Sequence, residues 1–296
     1  MKTDIKKLLP GIKQNVSLKN FSTFKIGGKA KYFFGAKKKE DLIKAIKVAQ
    51  DFRLPFSIVG NGSNLLVSDK GFRGLVIKIK NQKSKIKNNL IYAEAGVPLG
   101  QLVDMASKNN LAGFEWAVGI PGTLGGSIYG NAGAFGHSMA DTITEVEVYN
   151  SKNKKIKKLK NKNCKFSYRE SIFKKKKNLI IISAKLGLKR GDRKKIKQKI
   201  REYLTHRVKT QPLNSPSIGS IFKNPRGFLT AELIEKCGLK GKRIGDVKIS
   251  EKHANFIINL GNGRANDIKK LITLIKTRVE KIFGITLEEE IQHLGF

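Results

Sequence analysis

Two glycine-rich segments limit what this chain can fold into more than any other feature of its sequence. The first, GNGSN at Gly60 to Asn64, interrupts an apolar stretch that runs from Phe56 to Asp69. The second holds seven glycines between Ala117 and Gly136 and offers few side chains for a core. Glycine tolerates positive φ, which we expect at Gly62, and has no Cβ to keep a ligand away from the backbone. Two such segments beside apolar strands favour a cradle for a large flat cofactor with a diphosphate.

Neither segment matches the common nucleotide-binding loops. A Rossmann fingerprint needs three glycines that open a helix, whereas Leu65 to Val67 after the first segment are typical of a strand and the third glycine is absent. A Walker loop needs a Lys followed by Ser or Thr, which GTLGGS at Gly122 to Ser127 lacks. The remaining interpretation is a strand–turn–strand nest, whose consecutive N–H groups can line an anion such as a pyrophosphate.

The net charge of +37, from 60 Lys and Arg against 23 Asp and Glu, raises nucleic-acid binding as a hypothesis. The basic residues are mostly lysines in solvated runs such as KKLKNKN, with little of the aromatic interleaving that single-strand binders use. We interpret the charge as a lysine bias or a solubilising surface. Attraction of small anionic ligands and a nucleic-acid surface stay open as alternatives.

The composition is that of a globular chain of 296 residues, 40% hydrophobic, with room for two or three domains. No apolar run has the length of a signal peptide or a membrane span. The two cysteines, Cys164 and Cys237, lack the spacing of a metal site or a disulfide framework. We therefore expect a cytoplasmic monomer with reduced cysteines and without metal, membrane or nucleic-acid partners.

Hydrophobic periodicity predicts a mixed α+β chain. Strands are expected at Phe56 to Gly60 and at LLVSD, GLVIKIK, LIYAEAG, EVEVYN, KKIKKLK, NLIIISAKLGL and NFIIN. Helices are expected over Lys39 to Phe52, from Pro98 onward and from near Gly191 onward. A further helix is expected to end at Cys237, and a last long helix is expected to be capped by Gly284. The buried positions of the two longest helices are predicted to be Ile196, Ile200, Tyr203 and Leu204, then Ile268, Leu271, Ile272, Ile275, Val279 and Ile282.

Seven motifs follow one another along the chain from about Asn15 to the C terminus: STFKIGGKA, GNGSNLLVSDKGF, GIPGTLGGSIYGNAGAFG, YRESIFK, GSIFKNP, HANFIIN and LEEEI. Their order resembles that of the UDP-N-acetylenolpyruvoylglucosamine reductases. The resemblance implies an α+β fold with an FAD-binding domain of the vanillyl-alcohol-oxidase (PCMH) type, whose subdomains, 1–80 and 81–190, hold FAD between them. A C-terminal α+β substrate-binding domain is expected over 191–296. Because Arg169 and Ser220 are only 51 positions apart, the chain resembles the shorter form of the family, without an inserted substrate loop.

The resemblance also implies an activity: NADPH-dependent, FAD-mediated reduction of UDP-N-acetylglucosamine enolpyruvate to UDP-N-acetylmuramate in peptidoglycan precursor synthesis. It implies noncovalent FAD, NADPH as co-substrate and a small-molecule UDP-sugar as substrate. Two alternatives stay open from the sequence. One is another FAD-dependent oxidoreductase of the same superfamily, and the other is a basic nucleic-acid-binding protein.

Hydride transfer to the methylene of an unsaturated carboxylate leaves negative charge on the adjoining carbon, so the site needs a cation and a proton source. The resemblance implies Arg169 as the cation, Ser220 as the proton donor, and Glu290 with Arg169 on the enolate. Glu288 and Glu289 stay open as alternatives to Glu290, since the three are consecutive.

The remaining site residues also come from the resemblance. Asn224 is expected to contact the substrate diphosphate, and Arg207 and Lys209 are expected to bind phosphates of UDP or NADPH. Phe135 departs from the family, which often places Tyr there. The residues expected to bind FAD are Gly60, Asn61, Gly62, Ser63, Asn64, Leu65, Gly119, Pro121, Gly122, Thr123, Gly125, Gly126, Ser127, Asn131 and Gly133.

Overall fold

The computed structural model describes residues 4–296, and the chain divides into two compact units. The first unit contains 4–12, Phe34–Asn61 and Val76–His206. The second contains Lys13–Phe33, Gly62–Leu75 and Arg207–Phe296. These interleaved segments do not coincide with the predicted domain limits of 1–80, 81–190 and 191–296, which stay a prediction.

The described chain contains eight α-helices and eighteen strands. The α-helices are α1 (Ile5–Leu8), α2 (Lys39–Asp51), α3 (Leu99–Lys108), α4 (Leu124–Tyr129), α5 (Ile172–Lys175), α6 (Arg193–Thr210), α7 (Thr230–Lys236) and α8 (Ala265–Phe283). The strands are β1 (Lys13–Ser17), β2 (Lys29–Ala36), β3 (Phe56–Val59), β4 (Leu65–Val67), β5 (Phe72–Ile79), β6 (Ser84–Lys87), β7 (Leu90–Glu94), β8 (Leu111–Ala112), β9 (Gly133–Ala134), β10 (His137–Ser138), β11 (Ile143–Asn150), β12 (Lys155–Lys160), β13 (Leu179–Gly187), β14 (Lys189–Arg190), β15 (Arg243–Ile244), β16 (Val247–Ile249), β17 (Ile257–Asn259) and β18 (Gln292–Leu294).

The first unit is built on an antiparallel five-stranded sheet in the order β12-β11-β13-β7-β6. β13 lies at its centre, because its apolar sequence LIIISAKLG suits a strand covered on both faces. β12 forms an edge, and its exposed lysines discourage pairing with another chain. The core contains Phe114, Trp116 and Phe173, all fully buried.

The second unit has an antiparallel sheet, β15-β16-β17, a parallel pair of β4 and β18, and an antiparallel pair of β1 and β2. α8 contributes five side chains of its apolar stripe to the core, beside Phe24 and Phe222. The helix ends as predicted at Gly284, whose φ of 67° is left-handed and whose N–H donates to the Glu280 carbonyl.

Most of the predicted elements are confirmed, including α2, the β11–β12 hairpin, β13 and α8. Two predicted core positions are wrong. Leu204 is 41% exposed because it lies about 100° around α6 from Tyr203, beyond the face that carries Ile196. Ile282 is 51% exposed, since it lies in the last turn of α8.

None of the helices in residues 4–296 combines the length and the apolar character needed to cross a bilayer.

Candidate active site

Within the first unit, the residues that begin the first glycine-rich segment contact the second glycine-rich segment. Asn61 Nδ2 donates to the carbonyl oxygen of Pro121 at 3.2 Å. A Cβ on Gly60 would lie only 2.5 Å from Thr123 Oγ1, so that only glycine permits this approach without movement. The two segments, 60 positions apart in the chain, are therefore neighbours in the fold.

The turn GNGSN leaves several of its backbone N–H groups without a protein acceptor. Gly62 has φ 65°, and a Cβ there would overlap the Phe21 carbonyl oxygen at 2.1 Å. The backbone N–H groups of Asn61, Gly62, Ser63 and Asn64 make no hydrogen bond to any acceptor in residues 4–296. Four consecutive N–H groups without a protein acceptor are what an anion-binding nest requires.

The second glycine-rich segment differs in one respect from the sequence-based interpretation. It contains the short helix α4, in which Thr123 Oγ1 accepts from the Gly126 N–H at the first turn. Leu124 and Ile128 are fully buried in the core, so the expectation that this segment offers few core side chains is wrong for them. Its glycines still allow close backbone approach, because a Cβ on Gly125 would lie 2.8 Å from the Cβ of Ala95.

Arg169 lies on a tight turn in the same unit. Ser167 and Glu170 exchange backbone hydrogen bonds across it, and Arg169 itself has a left-handed φ of 55°. Asn131 Nδ2 donates to the Ser167 carbonyl at 2.8 Å, and Lys174 Nζ donates to the Arg169 carbonyl at 2.6 Å. Asn131, predicted to bind cofactor, thus holds the turn that carries the predicted catalytic Arg169.

The second unit places Ser220 and Glu290 on adjacent backbone segments. The Glu290 N–H donates to the Ile221 carbonyl at 2.8 Å, and Phe222 pairs with Glu289 in an isolated bridge. On its other side the Ser220 segment pairs with Phe256. The terminal glutamates and the serine motif, about 70 positions apart in the sequence, therefore meet in this unit.

The three glutamates have different surroundings. Glu288 is exposed and pairs with Lys223. Glu289 pairs with Lys276 and accepts a hydrogen bond from His293 at 2.8 Å. The His293 hydrogen bond, followed by the Lys276 contacts, lowers the pKa of the Glu289 carboxyl to about 2 although burial opposes it.

Asn255 is a positioning residue that the sequence analysis missed. Its Oδ1 accepts from the Phe222 N–H at 3.0 Å, and its Nδ2 donates to the Phe222 carbonyl at 2.8 Å. The Ile221 N–H donates to the Asn255 carbonyl, so the segment that carries Ser220 is fixed by side chain and backbone together. The only signal in the sequence was a polar residue between Ala254 and Phe256 beside a buried strand.

The predicted diphosphate-binding residues Asn224, Arg207 and Lys209 all lie in the second unit. Asn224 Oδ1 accepts from the Thr230 N–H at the start of α7, at 3.1 Å. Arg207 is buried near the end of α6, whereas Lys209 is exposed. Phe135, in the first unit, stacks on Tyr203 with ring centroids 4.2 Å apart. The assignment of Asn224, Arg207 and Lys209 to diphosphate groups stays a prediction.

Two family models match the chain. The model of an FAD binding domain matches residues 30–159, and the model described as UDP-N-acetylenolpyruvoylglucosamine reductase, C-terminal domain, matches residues 211–294. With the open glycine-rich backbone, these matches define an FAD-containing oxidoreductase of α+β fold.

Individual relatives narrow that class. The chain is 46% identical to the UDP-N-acetylenolpyruvoylglucosamine reductase of Caldicellulosiruptor bescii, over 94% of this chain and 89% of the relative. It is 44% identical to that of Caldanaerobacter subterraneus subsp. tengcongensis, over 95% and 93%. The crystal structure of the Thermus caldophilus enzyme matches with a TM-score of 0.83 at 34% identity, over 95% and 98%. The chain belongs to the UDP-N-acetylenolpyruvoylglucosamine reductase family, in its shorter form.

The residues present fit FAD, as the sequence predicts. At Gly60 and Gly62 a side chain would collide with neighbouring atoms, and the N–H groups from Asn61 to Asn64 offer the donors that a diphosphate needs. The predicted fold class, enzyme class and FAD cofactor are therefore confirmed at the level of the family.

Proposed function

We propose that this chain reduces UDP-N-acetylglucosamine enolpyruvate to UDP-N-acetylmuramate with NADPH, as a step of peptidoglycan precursor synthesis. The observation that carries the proposal is the hydrogen bond between Glu290 N–H and the Ile221 carbonyl, which joins the serine motif to the terminal glutamates. Two chemically different groups, a hydroxyl and a carboxyl, are thus carried by paired backbone segments. The family membership supports the substrate class.

The glycine-rich segments hold the cofactor in this proposal. The N–H groups of Asn61 to Asn64 would hold the diphosphate of FAD, and the glycines at 122 and 126 would leave space for the rest of the dinucleotide. When bound, FAD supplies hydride chemistry between the nicotinamide of NADPH and the enolpyruvyl methylene. Asn224, Arg207 and Lys209 are proposed to bind diphosphate groups of the substrate or of NADPH.

Residues of the chain stabilise the negative charge that develops on the substrate and donate the proton. Arg169 stabilises the negative charge that develops on the substrate carboxylate and the adjoining carbon, because its planar guanidinium is always charged. Ser220 Oγ–H gives its proton to that carbon. Glu290 acts together with Arg169 on the developing enolate.

The register of the family's terminal motif favours Glu290 over its neighbours. The backbone of Glu290 is held from both sides in the second unit. Its N–H donates to Ile221, and its carbonyl accepts from Asn64 Nδ2 at 3.1 Å.

The test compares three matched variants, Glu288→Gln, Glu289→Gln and Glu290→Gln. Each is reduced with NADPH and then mixed with UDP-N-acetylglucosamine enolpyruvate, and the return of flavin absorbance is timed. Because Glu290→Gln removes the carboxyl group assigned to the enolate, it should slow this step on the order of 100-fold. The other two should stay within about threefold of the parent. If Glu289→Gln is the slow variant, the assignment to Glu290 is wrong.

A further inference from the structure

Lys78 on β5 contacts the first glycine-rich segment within the first unit. Its Nζ donates to the Gly60 carbonyl oxygen and to Asn61 Oδ1, the second at 3.3 Å. The side chain is half-buried, and burial, followed by repulsion from Lys80, lowers its pKa from the ordinary lysine value. In residues 4–296, no carboxylate forms an ion pair with Lys78, so both of its hydrogen-bond acceptors are neutral.

Such an arrangement costs free energy in the protein alone. A partly desolvated ammonium group without a counter-ion is less stable than the same group in water or beside an acid. The folded chain nevertheless keeps the lysine at a turn that is otherwise made of small residues. An anion that binds next to this turn would offset the cost.

The hydrogen bond to Gly60 also determines how the next peptide group is oriented. The peptide between Gly60 and Asn61 is planar and trans, so its C=O and N–H point in opposite directions. Because Lys78 binds the carbonyl oxygen, the Asn61 N–H points away from the lysine, and it makes no hydrogen bond to the described chain. The Asn61 side chain is fixed separately, between Lys78 and the Pro121 carbonyl.

We propose that Lys78 is a positioning residue for FAD: it fixes the Gly60–Asn61 peptide with the N–H available to the diphosphate, and it adds an uncompensated positive charge to that turn. The proposal rests on the assignment of FAD to the glycine-rich segments made above. It also explains why a desolvated lysine is kept at this position on β5.

The test uses the protein stripped of flavin and measures the dissociation constant of FAD by quenching of flavin fluorescence. Lys78→Met keeps the length of the side chain but removes the donors and the charge, and should weaken FAD binding about 10- to 100-fold. Lys78→Arg keeps a charged donor and should recover most of that loss. The control, Lys80→Met, removes an exposed lysine one position past the end of β5 and should stay within about twofold of the parent.

The melting temperature of the same flavin-free variants separates positioning from packing. Because the charged lysine is desolvated without a counter-ion, Lys78→Met should melt at the parent temperature or above it while binding FAD more weakly. If Lys78→Met binds FAD as tightly as the parent does, the role proposed for Lys78 is wrong. It is also wrong if the weaker FAD binding of Lys78→Met is accompanied by a lower melting temperature of the flavin-free variant. A parent chain that binds no FAD would instead overturn the assignment of the glycine-rich segments themselves.

Discussion

The Gly62→Ala substitution tests whether the first glycine-rich turn needs its open backbone. The φ of 65° at this position costs a non-glycine residue about 1–2 kcal/mol. The new Cβ would lie 2.1 Å from the Phe21 carbonyl oxygen and 2.9 Å from the Ser22 Cα, so backbone must shift by about 1 Å. Overpacking of this kind adds about 1–3 kcal/mol, which gives a total of about 2–5 kcal/mol. That is a large part of the ~5–15 kcal/mol that stabilises a typical protein.

Thermal unfolding and the flavin content of the purified protein measure the two consequences. Gly62→Ala should lower the free energy of unfolding and should leave the protein poor in FAD, because the N–H groups of the turn are displaced. The matched control is Gly100→Ala in α3, where a Cβ meets nothing within 4 Å. It should be neutral or stabilising by up to about 1 kcal/mol. A Gly62→Ala protein with parental stability and full flavin content would refute the strain argument.

Two further predictions concern the cofactor linkage and the response to acid. Acid precipitation should release all of the flavin, since neither glycine-rich segment contains a His or Cys to which FAD could be attached, and His137 directly after the second is exposed. Yellow colour left in a washed pellet would contradict this. Glu289 has its pKa lowered from 4.5 to about 2, so its contribution to stability is complete above about pH 4.5 and is lost as the pH falls towards 2. In chemical denaturation, the unfolding free energy of Glu289→Gln should therefore decline less steeply between those pH values than that of the parent. If the unfolding free energies of parent and variant fall in parallel with pH, the His293 and Lys276 contacts do not stabilise the Glu289 carboxylate.

The long elements could be predicted because their apolar residues repeat with a clear period. α2, α8 and the β11–β12 hairpin follow this rule. The end of α8 could be predicted at Gly284, because glycine readily adopts the left-handed φ that ends a helix. α4 could not be predicted, since glycines dominate its segment and weaken both the helix propensity and the apolar pattern. Its formation depends on the burial of Leu124 and Ile128 against the rest of the unit.

The site was predictable only in part. The motifs predicted residues for FAD binding, but not the hydrogen bonds that orient these segments, because those bonds join side chains to backbone atoms far along the chain. Asn131 to Ser167, Asn255 to Phe222 and Lys78 to Gly60 are all of this type. The contacts of Glu288 with Lys223 and of Glu289 with Lys276 could not be predicted for the same reason.

Ser220→Ala, followed by stopped-flow spectroscopy, tests the central claim most directly. In the parent, NADPH should bleach the flavin absorbance, and UDP-N-acetylglucosamine enolpyruvate should restore it. Ser220→Ala should bleach at the parental rate, because reduction by NADPH needs no proton from this hydroxyl, and should recover about 100- to 10,000-fold more slowly. Recovery of the variant's flavin absorbance at the parental rate would contradict the proton-donor role. If the substrate does not restore the flavin absorbance of the reduced parent, the proposed reaction is wrong.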